Sequence, residues 1–380
     1  MLDERKATIL RAVVTEYIET AQPVGSGHVA SSAEVNVSSA TVRNDMAALE
    51  AEGVQVNPPS KALAFAQNKL KMRKRLGDLD LPMPEWAEIQ DAHALEAFID
   101  ANGGVAILKT PIGGYDGKGV RVVRSADDAA DWLANLDQYG GSLLAEERVD
   151  FVRELAQLSA RRPSGEFKAW PLVETIQENG VCSVVLSPAP KATKATLAAT
   201  AEIARKVAEG LGVTGVLAVE MFEARDGRLL INELAMRPHN SGHFSIEGSV
   251  TSQFEQHIRA VSDLPLGSTE PTAKHAVMVN LLGVDDSNDF VQAYGEALAA
   301  HPAIENDARD LAAFASACAV AKEIALPVNL PLSRGFKYAA FVFGLIPAGQ
   351  IASMSASGIN QGFGLGSREQ ALANQSFRKL

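Results

Sequence analysis

Residues 215–233, GVLAVEMFEARDGRLLINE, constrain the fold more than any other stretch of this chain. Two strongly apolar runs flank Arg225, Asp226 and Gly227, which suit a tight turn, so the segment reads as a β-hairpin. Glu220 lies six residues before Asp226 and Glu233 seven after it. A hairpin therefore sets the two carboxylates at similar heights on adjacent strands. Like charges among apolar neighbours repel unless cations join them. Oxygen-ligated Mg2+, shared with phosphates, suits such a pair best. A pair of solvated edge carboxylates is the simpler alternative, and the apolar character of both strands weighs against it.

A second stretch, ILKTPIGGYDGKGVRVV (residues 107–123), suits a polyphosphate. VAILK reads as a buried strand that ends on Lys109. Gly113, Gly114, Gly117 and Gly119 let the backbone approach phosphates and aim N–H groups at them, and Lys118 adds charge. No G-K-[ST] follows and no helix succeeds the loop. The chain returns as VRVV, so the loop is expected to be a flap between two antiparallel strands. A glycine-rich hairpin with solvated lysines is the alternative. Beyond Glu233 comes MRPHNSGHFS, a segment that reads as too polar for a core. There Arg237 can grip a planar anion with two N–H groups, and His239 can act as acid, base or donor, with Asn240 and His243 nearby.

Between 57 and 300, strand candidates (VAILK, VRVV, SLLAEE, ELAQLSAR, KAWPLVE, VCSVVL, GVLAVEMF, RLLINE, HAVMVNL) alternate with helical stretches. The helices are expected at Trp86–Ala101, Ala126–Leu136, Ala192–Leu211 and Ser252–Ser262. That alternation indicates an α/β (α+β) class. A chain of 380 residues has room for two or three domains, and a net charge of −11 disfavours non-specific binding to nucleic acid or anionic membrane. Neither a secretory leader nor a membrane span is expected. Cys182 and Cys318 lie far apart and read as reduced thiols of a cytoplasmic protein.

Residues 1–54 read differently. Ile9/Leu10, Val13/Val14 and Tyr17/Ile18 recur at helical spacing, and Ser38 or Ser39 caps a later helix with Val42, Met46 and Leu49 inward. Thr41, Arg43 and Asn44 would face outward, as on a recognition helix. LDERKATILRAVVTEYIETAQPVGS and NVSSATVRNDMAALEAEG resemble the winged-helix segment of the heat-inducible transcriptional repressor family. The likeness stops at Gly53, without the basic wing. Four basic against eight acidic side chains predict weak DNA binding at most.

Four runs, GGYDGKG, EERVDFVREL, AVEMF and INELAMRPHNSGH, resemble the ATP-grasp 5-(carboxyamino)imidazole ribonucleotide synthases of purine biosynthesis. The likeness covers about 57–300. It implies carboxylation of aminoimidazole ribonucleotide by ATP, Mg2+ and bicarbonate through carboxyphosphate, in a homodimer that needs no membrane. It implies that Lys69, Lys109 and Lys118 contact ATP phosphates or line the ATP pocket, with Gly114, Gly117 and Gly119 of the loop also binding the cofactor. Glu146, Glu147 and Val149 would form an adenine hinge, and Glu154 would hold ribose. Glu220 and Glu233 would carry Mg2+, with Asn232 beside them. Tyr115 and Asp116 would face the aminoimidazole, and Arg237 and His239 the bicarbonate and carboxyphosphate.

The resemblance also carries departures. The family opens on a Rossmann-like domain where this chain has the helix-turn-helix segment. Met236 stands where the family has proline, and the likeness fades before a closing phosphate anchor. Impaired carboxylation is therefore expected. The implied division is 1–54 helix-turn-helix, 57–150 nucleotide-binding subdomain, 151–303 metal-binding subdomain, and 304–380 an irregular tail. In the tail a helix is expected at Asp310–Ile324, a strand or short helix at Tyr338–Ile346, and loop at Ala352–Ser367. A DNA-binding repressor, and a non-functional composite of unrelated pieces, are the competing readings.

Overall fold

The computed structural model describes residues 47–112, 119–178 and 180–280, with Thr8, Asp45 and the backbones of short strands at 285–288, 327–328 and 343–345. Thr41, Arg43 and Asn44 lie outside the described residues, as do Gly114, Tyr115, Asp116, Gly117 and Lys118. The tail expectations fall outside as well, except that Phe343–Leu345, inside the stretch expected as strand or helix, is strand.

Two helices precede the first sheet: the largely apolar α1 (Ser60–Gln67) and the basic α2 (Lys69–Asp78). The Asn68 side chain caps α2 by accepting from the Lys71 N–H. The first sheet has four antiparallel strands in the order β1 (Trp86–Ile89), β4 (Leu143–Glu147), β2 (Ala106–Lys109), β3 (Val120–Val123). Period-2 alternation gives it two unlike faces. Ile89, Leu108, Val123, Leu143 and Ala145 face a core closed by α3 (Ala92–Ala101), whose Leu95 and Ile99 point inward. Ile107, Lys109, Glu146, Val120 and Val122 pair across the strands and share the opposite face.

Trp86–Ala101 is therefore not one helix, as the sequence suggested. Trp86–Ile89 pairs with β4, and the helix begins only after Asp91, whose side chain accepts from the Ala94 N–H. Four residues of strand are too few for a period to show, and edge pairing overrides local propensity. Ala126–Leu136 comes as short helical turns at Ala126–Ala129, α4 (Ala130–Leu133) and Leu136–Tyr139.

The second sheet begins at Phe151. Its order is β10 (Leu229–Ala235), β9 (Gly215–Ala224), β5 (Phe151–Arg161), β7 (Val173–Glu178), β8 (Val181–Ser187), β11 (Ala276–Val279), β14 (Phe343–Leu345), with β6 (Phe167–Ala169) on β5. KAWPLVE splits between β6 and β7, because Pro171 has no N–H to give a ladder. β12 (Asp285–Asn288) pairs in parallel with β13 (Pro327–Val328). One face of the large sheet buries Leu155, Leu217, Val219, Met221 and Ile231 against α1, α2 and α5 (Lys194–Gly210). Helix α5 turns Thr200, Ile203, Ala204, Val207 and Ala208 inward, a spacing that keeps one stripe on the sheet. The other face buries Ala156, Leu158, Val216 and Ala218 with Phe244, Trp170 and Ala260. β9 is thus apolar on both faces, which is why its sequence runs almost without polar breaks.

Helix α6 (Gln253–Val261) seals the start of β9. His257 Nδ1 accepts the Val216 N–H at 3.1 Å. A side chain at Gly215, where φ is +103°, would meet the imidazole at 2.8 Å. Burial pushes His257 down to about 4. Between pH ~6.5 and ~4 the unfolded chain takes up a proton here that the folded chain refuses, so stability falls as pH drops through that window. Urea midpoints measured from pH 7 to 4.5 should decline, and His257→Gln should flatten part of that slope.

Candidate functional site

The hairpin β9–β10 places Glu233 directly opposite Glu220. Ile231 pairs with Met221 and Glu233 with Glu220, so Asn232 is an extra residue, a β-bulge. The bulge absorbs the unequal spacing about the turn. It keeps Ile231 and Leu234 on the core face while Asn232 and Glu233 both serve the site. Glu233 is 42% exposed and bonds Lys69 Nζ at 2.7 Å; Glu220 is 24% exposed and bonds His239 Nε2 at 2.9 Å. Burial would raise the Glu220 carboxyl, but the His239 hydrogen bond and charge, then Arg237 and Lys69, outweigh it and hold it below the ordinary value.

Lys109, at the end of β2, bonds Glu146 Oε2 at 2.6 Å and Asn232 Oδ1 at 3.1 Å. Glu146 is 2% exposed, and its other oxygen accepts from Arg73. Its side chain therefore meets two cations, one on each oxygen. Burial would raise this carboxyl too, but Lys109 and Arg73 hold it below the ordinary value. Glu147 bonds Arg228 at 3.3 Å, and its N–H donates to the Glu85 carbonyl. Val149 is half-buried in the connection between the two sheets. β2 and β3 pair in antiparallel fashion with Lys109 opposite Val120, and the Thr110 N–H donates to the Gly119 carbonyl, so strands flank the glycine loop as expected.

On the second sheet, Glu154 sits two residues from Ala156, which pairs with Glu220. Burial first, then the Glu220 charge, push Glu154 up to about 7, against a hydrogen bond from Gln177. Burial, Glu220 and Glu154 push the neighbouring Cys182 thiol up to about 12, so it is inert. Phe151 stacks on Phe222, which pairs with Glu154, at 4.7 Å between ring centres. Val120 and Val122 lie exposed on the Lys109 face. These four side chains offer apolar surface beside the charged groups.

The segment after Glu233 is packed rather than exposed, against expectation: Met236, Ser241, Gly242 and Phe244 are all buried. Gln253, 0% exposed, makes this possible. It accepts the His239 N–H at 2.8 Å, donates to the His239 carbonyl at 2.9 Å, and contacts His243 Nδ1 at 3.0 Å. Burial, then His239 and Arg237, push His243 down to about 3. His239 Nδ1 faces the Ser241 N–H and hydroxyl, and its Nε2 lies 2.9 Å from Glu220 Oε1. Arg237 is exposed, and its Nη1 donates to the Pro238 carbonyl. A Cβ on Gly242 would strike Gln253 Oε1 and come within 2.6 Å of Leu158 Cδ2. Gly242→Ala should therefore destabilise by about 2 kcal/mol or more, read as a lower urea midpoint.

Arg73, Gln177 and Gln253 were not anticipated. A signal existed only for Arg73: it lies three residues from both Leu70 and Leu76, on the buried stripe of α2. Among the described residues no cluster of three or more His, Cys, Asp or Glu side chains converges on a metal position. Two opposed carboxylates beside lysines still fit Mg2+, which takes one or two carboxylates and completes its shell with phosphate and water. Among the described residues no helix is long and apolar enough to cross a membrane.

A family model described as the ATP-grasp domain matches residues 74–254. The N5-carboxyaminoimidazole ribonucleotide synthase of Mycobacterium tuberculosis is 48% identical over 235 residues, covering 62% of this chain and 55% of that protein. The chain thus spans little more than half the length of that curated relative. The crystal structure of N5-carboxyaminoimidazole ribonucleotide synthetase from Thermus thermophilus matches with a TM-score of 0.58 at 36% identity, over 67% of each chain. N5-carboxyaminoimidazole synthase from Aspergillus clavatus, solved with ADP and 5-aminoimidazole ribonucleotide, matches with a TM-score of 0.60 at 32% identity, over 67% of each chain.

Proposed function

Because the chain belongs to the N5-carboxyaminoimidazole ribonucleotide synthase family of ATP-grasp proteins, we propose that it is an ATP- and Mg2+-dependent carbon–nitrogen ligase that carboxylates 5-aminoimidazole ribonucleotide with bicarbonate. The observation that carries this reading is Glu220 opposite Glu233, ringed by Lys69, Lys109 and Asn232. In this reading Lys69 leaves Glu233 and, with Lys109, receives phosphate oxygens. Glu154 takes the ribose hydroxyls. Glu147 and Val149 edge the base, and Val120, Val122, Phe151 and Phe222 exclude water around it. Bound Mg2+ supplies charge neutralisation on the transferring phosphoryl group.

Bicarbonate attacks the γ-phosphorus through an oxygen, ADP leaves, and carboxyphosphate results. Arg237 holds its planar carboxylate, and the His239 backbone, fixed by Gln253, holds the neighbouring wall. The amine of the ribonucleotide then attacks the carboxyl carbon, phosphate departs, and the ammonium proton is lost. Tyr115 and Asp116 are assigned to the aminoimidazole, and Gly114, Gly117, Lys118 and Gly119 to the flap over the phosphates. Positioning and charge neutralisation account for such a transfer, since the protein forms no bond to the substrates. We place the reaction in the cytoplasm and in a homodimer.

The test has two stages. ATP with Mg2+ should raise the unfolding temperature of the full chain. ADP release should then require bicarbonate and rise with aminoimidazole ribonucleotide. No thermal shift with ATP, together with no effect of Glu233→Ala, would overturn the assignment.

A further inference from the structure

We propose that Arg73 is a positioning residue that acts on a bound triphosphate through Glu146 and Lys109. The inference rests on the reading that this cleft takes ATP. Arg73 is 0% exposed, so no ligand reaches it.

Its Nε donates to Glu146 Oε1 at 2.6 Å. Nη1 donates to the Ile231 carbonyl at 2.9 Å, and Nη2 to the Asn232 carbonyl at 2.8 Å. The second oxygen of Glu146 holds Lys109 at 2.6 Å. Lys109 then closes the circuit on Asn232 Oδ1 at 3.1 Å. Arginine, glutamate, lysine and asparagine thus form a ring drawn from α2, β4, β2 and β10, which spans both sheets.

The ring depends on the bulge. In a regular strand successive carbonyls point to opposite sides of the ladder. The extra residue at Asn232 brings the Ile231 and Asn232 carbonyls to one guanidinium. Three different nitrogens of the planar fork serve the carboxylate and the two carbonyls; an ammonium concentrates its donors on one atom and matches that spread poorly. The consequence falls on Lys109. A lysine held in one place loses side-chain entropy. Here Glu146 and Asn232 fix the ammonium before any ligand arrives. With Arg73 altered, Glu146 can turn on its own torsions and take Lys109 with it, away from the phosphate position.

Isothermal titration of the full chain with ATP plus Mg2+, and separately with adenosine, tests this. Arg73→Lys keeps a cation beside Glu146, and urea unfolding checks its fold. Arg73→Gln, which keeps N–H donors without charge, repeats the test on a second side chain. Either variant should weaken ATP binding about tenfold, equivalent to ~1.4 kcal/mol, and leave adenosine binding unchanged. In a Lys109→Met background the same change should add less than about twofold, because Arg73 then has no ammonium to act through. Equal losses for ATP and adenosine, or full additivity with Lys109→Met, would overturn the proposal. If the unaltered chain binds no ATP, the nucleotide reading falls and this inference with it. If it binds ATP and both variants match it, only this inference falls.

Discussion

Replacing Glu233 by alanine should lower bicarbonate-dependent ADP release by about a hundredfold to a thousandfold and leave the fold intact. The two halves of this expectation have separate causes. In the proposed function Glu233 is one of two opposed carboxylates that would hold Mg2+, and its removal would leave charge developing on the phosphoryl group without that support. Its contribution to stability is small. The side chain is 42% exposed, so its 2.7 Å pair with Lys69 is worth at most about 1 kcal/mol. It also stands opposite another carboxylate, and losing that repulsion offsets the lost pair. Single-turnover ADP release beside urea unfolding separates the two effects. A variant that stays active would sink the metal assignment; one that unfolds would sink the account of its stability.

Arg73→Met should destabilise the fold by about 3–5 kcal/mol. Glu146, 2% exposed, would keep Lys109 as its only cation, and the Ile231 and Asn232 carbonyls would lose their shared donor. The pH dependence has a definite sign. The folded Glu146 carboxyl lies below its ordinary value of 4.5, so its stabilisation is present above pH 4.5 and is lost as pH falls toward the depressed value. The gap between the parent chain and Arg73→Met should thus be widest near neutral pH and narrow in acid. A gap below ~1 kcal/mol at pH 7 would be the behaviour of a surface pair and would contradict the burial.

The opposed carboxylates were legible because turn chemistry and strand period are local. Arg225, Asp226 and Gly227 fixed where the chain reverses, and alternation did the rest. The strands flanking the glycine loop were legible for the same reason. Arg73 was not, because its partners lie 73, 158 and 159 positions away. A buried arginine and a solvated one look alike until those partners are known. The segment Met236–Phe244 misled in the same way: its polar residues suggested exposure, yet Gln253 satisfies the backbone and lets it pack. Trp86–Ile89 misled through brevity, since a strand that short is defined by its neighbour.

The spare asparagine in β10 has a further consequence. A chain shortened by that one position would run evenly, with Ile231 still facing Met221, the following glutamate still facing Glu220, and the leucine still facing Val219. Nothing in the pairing of the sheet requires the longer version. The shortened protein should zip its hairpin at least as well, and hold a triphosphate less well, because Lys109 would have lost its amide tether. Regularity and function pull in opposite directions at this position, and the molecule has settled for the less regular strand.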